Sequence, residues 1–274
     1  MELGLIWTIA LAEWREAVRY KWLWLYALGL AGLALALSQA GVAAAGYAGL
    51  GGFGRTAAGM INAFLLFVPL MGLSTGAASL AVDRERGTLT YLLSQPVSRG
   101  EVFLGKALGA ALAVVMALAL GFGLAGLGLS RAGSNNLLAF LELAGHTLLL
   151  ALASLGLGFL ISSRARKATV ASSAALLTWL VLVFVGDLGL IGAALALRPT
   201  PPVLLGLLVI NPLQVFKMGA IYGLRATLDT LGPVGQYAVY RFGAAVPWLL
   251  LGLLVGWIVL SFGLAFIFFR RGEG

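Results

Sequence analysis

Few side chains in this sequence could do chemistry, and they fall in four places. The stretch GEVFLGKA, residues 100–107, matches the G-x-x-x-x-G-K of a phosphate-binding loop as far as Lys106, but Ala107 stands where a hydroxyl would hold Mg²⁺. The stretch GLSTG, residues 72–76, has the Gly-x-Ser-x-Gly spacing of an activated serine, with His146, the one histidine, as the base that a Ser74–His146 dyad would need. Glu142 and His146 stand four residues apart, hence on one face of a helix. Asp187 lies alone in an apolar run. Ionisable groups in such runs are candidates for a transport pathway, weighed against interfacial residues with satisfied hydrogen bonds. Arg198 is the cation nearest Asp187 in that reading.

The surroundings decide between these chemistries. The chain has 274 residues, 61% hydrophobic and 10% charged, with a mean hydropathy of +1.01. A soluble domain carries about 25% charged residues, so most of this surface must face lipid. The net charge of +8 is spread thinly between apolar runs, which fits a membrane-orientation signal better than a nucleic-acid surface. With no Cys, one His and five scattered Met, the sequence has no zinc site, no thiol chemistry and no metal-ligand set. The N-terminus carries Glu2, Glu13 and Glu16 ahead of the first apolar run and shows no removable signal peptide.

Six apolar stretches, roughly 22–42, 57–82, 102–129, 137–161, 168–197 and 246–269, each reach the length of about 20 residues that a span needs. The expected fold is therefore an all-α integral membrane protein with six transmembrane helices over residues 22–274. The fifth stretch is overlong and is expected to tilt, or to break near Gly186 and Asp187. Residues 1–21 form an N-terminal interfacial (elbow) helix, with Trp7, Ala10, Leu11, Trp14, Ala17 and Val18 on one face and Glu13, Arg15, Glu16 and Arg19 on others. Twelve of the 18 Lys and Arg residues cluster on one side, which places both termini in the cytoplasm. On the outer side, segment 198–245 begins with a short apolar run bounded by prolines, expected to be re-entrant, followed by an amphipathic helix. Small residues recur four apart at Gly105/Gly109 and Gly252/Gly256, a spacing that lets helix backbones approach.

In this setting the phosphate-loop match fails. Such a loop follows a strand and opens a helix, whereas residues 100–107 lead straight into the third span. They read as a hinge with Lys106 anchored at the lipid phosphates. The larger stretch DRERGTLTYLLSQPVSRGEVFLGK carries more information. A Gly87-Thr88 start, apolar Leu89, Leu92 and Leu93 on one face, and a stop at Pro96 predict a short helix parallel to the membrane. Ser98 then caps the next helix, with Glu101 as its capping-box partner.

The run Glu85, Gly87, Thr88, Leu89, Leu92, Leu93, Pro96, Val97, Ser98, Arg99, Gly105 and Lys106 resembles the signature of type-2 ABC transporter permeases. The resemblance covers the whole chain, although Thr90 stands where that family often has an acidic residue. It implies a membrane permease subunit of an exporter, not itself an enzyme, that docks two copies of a separate ABC ATPase subunit and pairs with a second copy of itself. The chain would bind no cofactor, ATP and Mg²⁺ being held by the ATPase. The resemblance also implies that loop 83–101 is the cytoplasmic coupling element, with docking through Glu85, Arg86, Gly87, Thr88, Leu89, Leu92, Leu93, Pro96 and Arg99. Trp14 and Arg15 of the elbow helix would brace it, and Glu142, His146 and Asp187 are the candidate pathway residues. A finer resemblance, in Asn211, Pro212, Phe216 and Lys217, is to the permeases that support nitrous oxide reductase maturation, where Arg replaces this Lys. It implies that these four residues contact an outer, periplasmic β-helical accessory protein. Two other readings are an intramembrane serine protease and a passive membrane scaffold for a periplasmic assembly.

Overall fold

In the computed structural model the described residues are 3–19, parts of 21–36, 51–131, 137–196, 199–223 and 232–271, and among them every regular element is helical. The chain runs through α1 (Leu3–Arg19), α2 (Gly51–Arg86), α3 (Thr88–Leu93), α4 (Arg99–Arg131) and α5 (Leu137–Arg164). It continues through α6 (Ala168–Leu180), a π-helical turn (Val181–Val185), α7 (Gly186–Ala196), α8 (Pro201–Val209), α9 (Pro212–Gly223), α10 (Gly232–Phe242) and α11 (Val246–Arg271). Among the described residues five helices are long and apolar enough to cross a membrane: Ile61–Arg86, Arg99–Leu127, Phe140–Arg164, Ala168–Gly189 and Val234–Arg271. The span expected at 22–42 lies largely outside the described residues. Helices α8 and α9 are bent by 113° against each other, and neither alone has the length of a span.

Glycines set the architecture at the crossing of α2 and α5. A Cβ on Gly72 would stand 2.6 Å from the Ala151 carbonyl oxygen, and one on Gly158 would stand 2.5 Å from that of Leu73. Gly76 meets the backbone of Leu155 and Phe159 in the same way. The two backbones are in contact because no side chain separates them, which is how small residues drive helix association in lipid. The GLSTG stretch is thus a packing surface, not a strand-to-helix elbow.

Helix α1 lies across α4 by the same device. Gly105 receives Ile9 and Ile6, and Gly109 receives Ala10, Glu13 and Trp14. Among the described residues no atom lies within 4 Å of such a Cβ on Gly252 or Gly256, so of the two predicted glycine pairs the first is the one that packs there. Around these crossings Phe103 stacks on Phe159, Phe266 and Phe269 with ring centroids 5.4–5.7 Å apart, joining α4, α5 and α11. The α6 span is the least covered, with 11% of its most apolar window buried against 50–56% for the α2, α4 and α5 spans.

Candidate functional site

The residues of the phosphate-loop match lie within α4, a continuous helix in which the N–H groups beyond the first turn bond its own carbonyls, so Gly105 and Lys106 form no phosphate-cradling loop. Lys106 is 4% exposed, so it neither forms a hinge nor reaches the lipid phosphates. Its ammonium sits 2.6 Å from Asp83 Oδ2 and also bonds Glu13 Oε2, making a buried ion triad between α1, α2 and α4. Ser79 Oγ donates to Glu13 Oε1. Burial pushes the Glu13 carboxyl up from its ordinary range, while the Lys106 ammonium and the Ser79 hydroxyl hold it down. The sequence puts Trp7 on the apolar, membrane-facing side of the elbow helix and Glu13 on another face. In the fold Trp7 is 54% exposed and Glu13 faces inward, because Lys106 supplies the partner that a buried carboxylate needs. Trp14 packs partly buried against the core, whereas Arg15 is exposed.

Above the triad stands α3. Gly87 at its start has φ +77°, a left-handed conformation that side chains resist, so this position calls for a glycine on backbone grounds. Thr88 Oγ1 donates to Asp83 Oδ1 at 2.9 Å, tying the start of α3 to the triad. Leu89 is buried, Leu92 and Leu93 pack partly buried on the core, and the large side chain turned outward, beside exposed Thr88 and Thr90, is Tyr91, 69% exposed. Tyr91 was missed because apolar spacing finds the inward face of a helix. The Ser98–Glu101 capping box is formed, with Glu101 Oε2 accepting from the Ser98 N–H at 2.9 Å and from its hydroxyl. Pro96 is exposed beyond the helix end.

The expected docking residues Arg86, Glu85 and Arg99 also have internal roles. Arg86 pairs with Glu16 at 3.6 Å in a solvent-exposed ion pair. Glu85 Oε2 accepts the Ala168 N–H at 2.8 Å, and Arg84 donates to the carbonyls of Ser162 and Ala165. Together they fix the end of α2 to the corner between α5 and α6. Arg99 donates to the Arg270 carbonyl at the end of α11. A cavity of about 330 Å³ opens beside the triad, lined by Tyr26, Ser74, Thr75, Ser79, Ser172 and Leu176.

The structure also separates the pair that a serine protease would need. Gly158 is level with Leu73, and His146 lies twelve residues further along α5, about 18 Å away at 1.5 Å per residue. Ser74 and His146 therefore form no dyad within the chain. His146 is buried, and its Nδ1 lies 2.8 Å from the Glu142 carbonyl oxygen, an acceptor, so Nδ1 carries the proton. Its Nε2 has no partner among the described residues and faces Gly219 of α9. A Cβ on Gly219 would stand 2.7 Å from the imidazole Cδ2. Gly219→Ala is expected to swing the ring off the Glu142 carbonyl and to destabilise the chain by about 1–3 kcal/mol, read as a lowered thermal midpoint in detergent.

Asp187 sits at the start of α7, where its Oδ1 accepts from Lys217 Nζ at 2.9 Å and from Gln214 Nε2 at 2.8 Å. Lys217 is thus its partner, and Arg198 lies outside the described residues. Asn211 Nδ2 donates to the Leu182 carbonyl in the π-helical turn at 2.6 Å, and its Oδ1 accepts the Leu213 N–H. The overlong stretch breaks its α-helical ladder just before Gly186, and Asn211 bonds one carbonyl of that turn. Gly186 leaves the room for the Asn211 amide. Pro212 and Phe216 are buried within the chain. Among the described residues no cluster of His, Asp and Glu could hold a metal.

An all-helical bundle of apolar spans, with a short surface helix resting on a buried ion triad, is a multi-pass membrane protein. The chain belongs to the ABC-2 transporter family: residues 7–273 match the family described as ABC-2 family transporter protein. It is an ABC transporter membrane subunit, and the family implies an ATPase subunit as its partner. A protein of Stutzerimonas stutzeri, described as probable ABC transporter permease protein NosY, is 31% identical over 97% of this chain and 98% of its own length. One of Pseudomonas aeruginosa with the same description is 32% identical over 98% and 99%.

Proposed function

We propose that this permease couples ATP hydrolysis on a separate ATPase to export of a substrate across the cytoplasmic membrane, with both termini in the cytoplasm. The observation that carries the docking part is α3 itself: a short helix, its start set by left-handed Gly87, that turns Leu89 inward and Tyr91 outward. Exposed aromatic anchors of this kind dominate protein–protein contacts. The distribution of Lys and Arg puts α3 on the cytoplasmic side, where an ATPase with bound ATP and Mg²⁺ would meet it. A second copy of the chain would cover the exposed α6 face, giving a homodimer with two ATPase subunits and alternating access at the symmetry axis.

The two relatives named NosY and the Asn211–Pro212–Phe216–Lys217 resemblance support the finer assignment. In it the exported species serves copper-site maturation of nitrous oxide reductase, with a periplasmic β-helical protein as outer partner. Because Pro212 and Phe216 are buried, Asn211 and Lys217 are the partly accessible ones of these four and the ones such a partner would meet. Glu142, which is exposed, and His146 and Asp187 are the candidate pathway groups.

Co-expression with the candidate ATPase tests the docking. The wild-type chain is expected to retain a stoichiometric complex in detergent, and Tyr91→Asp to weaken it about tenfold or more with the permease still folded. Failure of any ATPase to bind the wild-type chain would defeat the transporter mechanism. Transport that persists with a hydrolysis-dead ATPase would instead favour the passive scaffold.

A further inference from the structure

We propose that the Glu13–Lys106–Asp83 triad is a mechanical relay, with Lys106 as its positioning residue, that carries movement of α3 to the elbow helix α1 and to the cavity beside it. The relay rests on the reading that α3 docks the ATPase. Its links are continuous: Thr88 Oγ1 bonds Asp83 Oδ1 at 2.9 Å, Asp83 Oδ2 lies 2.6 Å from Lys106 Nζ, and the same ammonium bonds Glu13 of α1. Ser79 closes the far side on Glu13.

Two features make this more than a static clamp. First, the ions are nearly dry, with the Lys106 side chain 4% exposed and those of Glu13 and Asp83 11% and 12%, so separating them would leave bare charge in a poor solvent. The three groups therefore move as one body. Gly105 and Gly109 bring α1 against α4, so α1 has no slack with which to absorb a displacement. Second, the triad is not packed on every side. Glu13, Asp83 and Lys106 form one wall of the 330 Å³ cavity, together with Ser74 and Thr75 of α2 and Ser172 of α6. A shift of the triad changes the shape of a space between α1, α2 and α6. The parallel contact from Arg86 to Glu16 is 3.6 Å long and exposed on both sides, so water screens it and it transmits little.

The test uses the full chain with its ATPase. Because the chain has no cysteine, single thiols can be placed at Gln95, just after α3, and at Leu3 on α1, which is 82% exposed. Nitroxide labels attached before assembly report mobility with and without Mg-ATP. The variant is Glu13→Gln/Asp83→Asn/Lys106→Met, which removes all three charges together and leaves none unpaired.

The expected result is a nucleotide response at both labels in the wild-type background. In the triple variant the response remains at Gln95→Cys, is lost at Leu3→Cys, and ATP turnover no longer changes on assembly with the permease. A triple variant that responds at both sites as the wild type does would overturn the relay and leave the triad a structural clamp. A wild-type complex that responds at Gln95→Cys alone would also overturn it while leaving docking intact. Absence of any complex would remove the docking reading, and the relay with it. Should the triple variant not fold, Thr88→Val cuts the first link without touching a charge; it is expected to reduce the Leu3→Cys response severalfold, and an unchanged response there would overturn the relay.

Discussion

Lys106→Met is expected to destabilise the folded permease by about 3–5 kcal/mol, the cost of leaving buried charges without a partner. It strands two carboxylates, Glu13 and Asp83, that the ammonium now holds from either side. The loss has a pH signature. Burial raises the folded-state pKa of Glu13, and without Lys106 one of the groups that hold it down is gone. Stability of the variant is then greatest below the ordinary carboxylate range and falls as pH rises through the raised folded-state value of Glu13. Thermal unfolding in detergent at acid and neutral pH would therefore show the deficit shrinking on acidification. Adding Glu13→Gln and Asp83→Asn should recover most of the stability, since neutral groups of the same shape need no counter-charge. Equal deficits at both pH values would mean that Lys106 matters for its packing and not its charge.

Gly76→Leu is expected to be the most damaging small change in the membrane interior. A side chain there has nowhere to go, because what it meets is backbone of α5, at Leu155, Gly158 and Phe159. Overpacking of a core costs typically about 1–3 kcal/mol when side chains can yield, and more is expected where two helix backbones must part. Gly256→Leu, with nothing within 4 Å, is the matched control and should leave the fold of the single chain intact. Folded yield by size exclusion would show Gly76→Leu largely lost and Gly256→Leu near wild type. If both are tolerated, the α2–α5 crossing is not held by backbone contact.

Much of this protein is legible in its sequence because lipid imposes a simple rule: spans must be long, apolar and helical. The spans on α2, α4, α5, α6 and α11 follow from hydropathy alone. The start and stop of α3 and the Ser98–Glu101 cap follow from local chemistry, since Gly87 and a capping box act within one turn of themselves. Membership of the ABC-2 family was likewise visible in the stretch between Asp83 and Lys106. What the sequence could not decide is which polar residue meets which. Glu13, Asp83 and Lys106 are 70 and 23 residues apart along the chain, and no periodicity joins them. The same Gly-x-Ser-x-Gly that spells a nucleophile in a strand-to-helix turn spells a helix crossing in α2, and only the position of α5 tells them apart. Asp187 looked toward the cation nearest in sequence, while the bend between α8 and α9 brought Lys217 to it. Hydrophobic burial is read one residue at a time, but a buried charge is tolerated only by virtue of its partner, and partners are chosen by the tertiary fold.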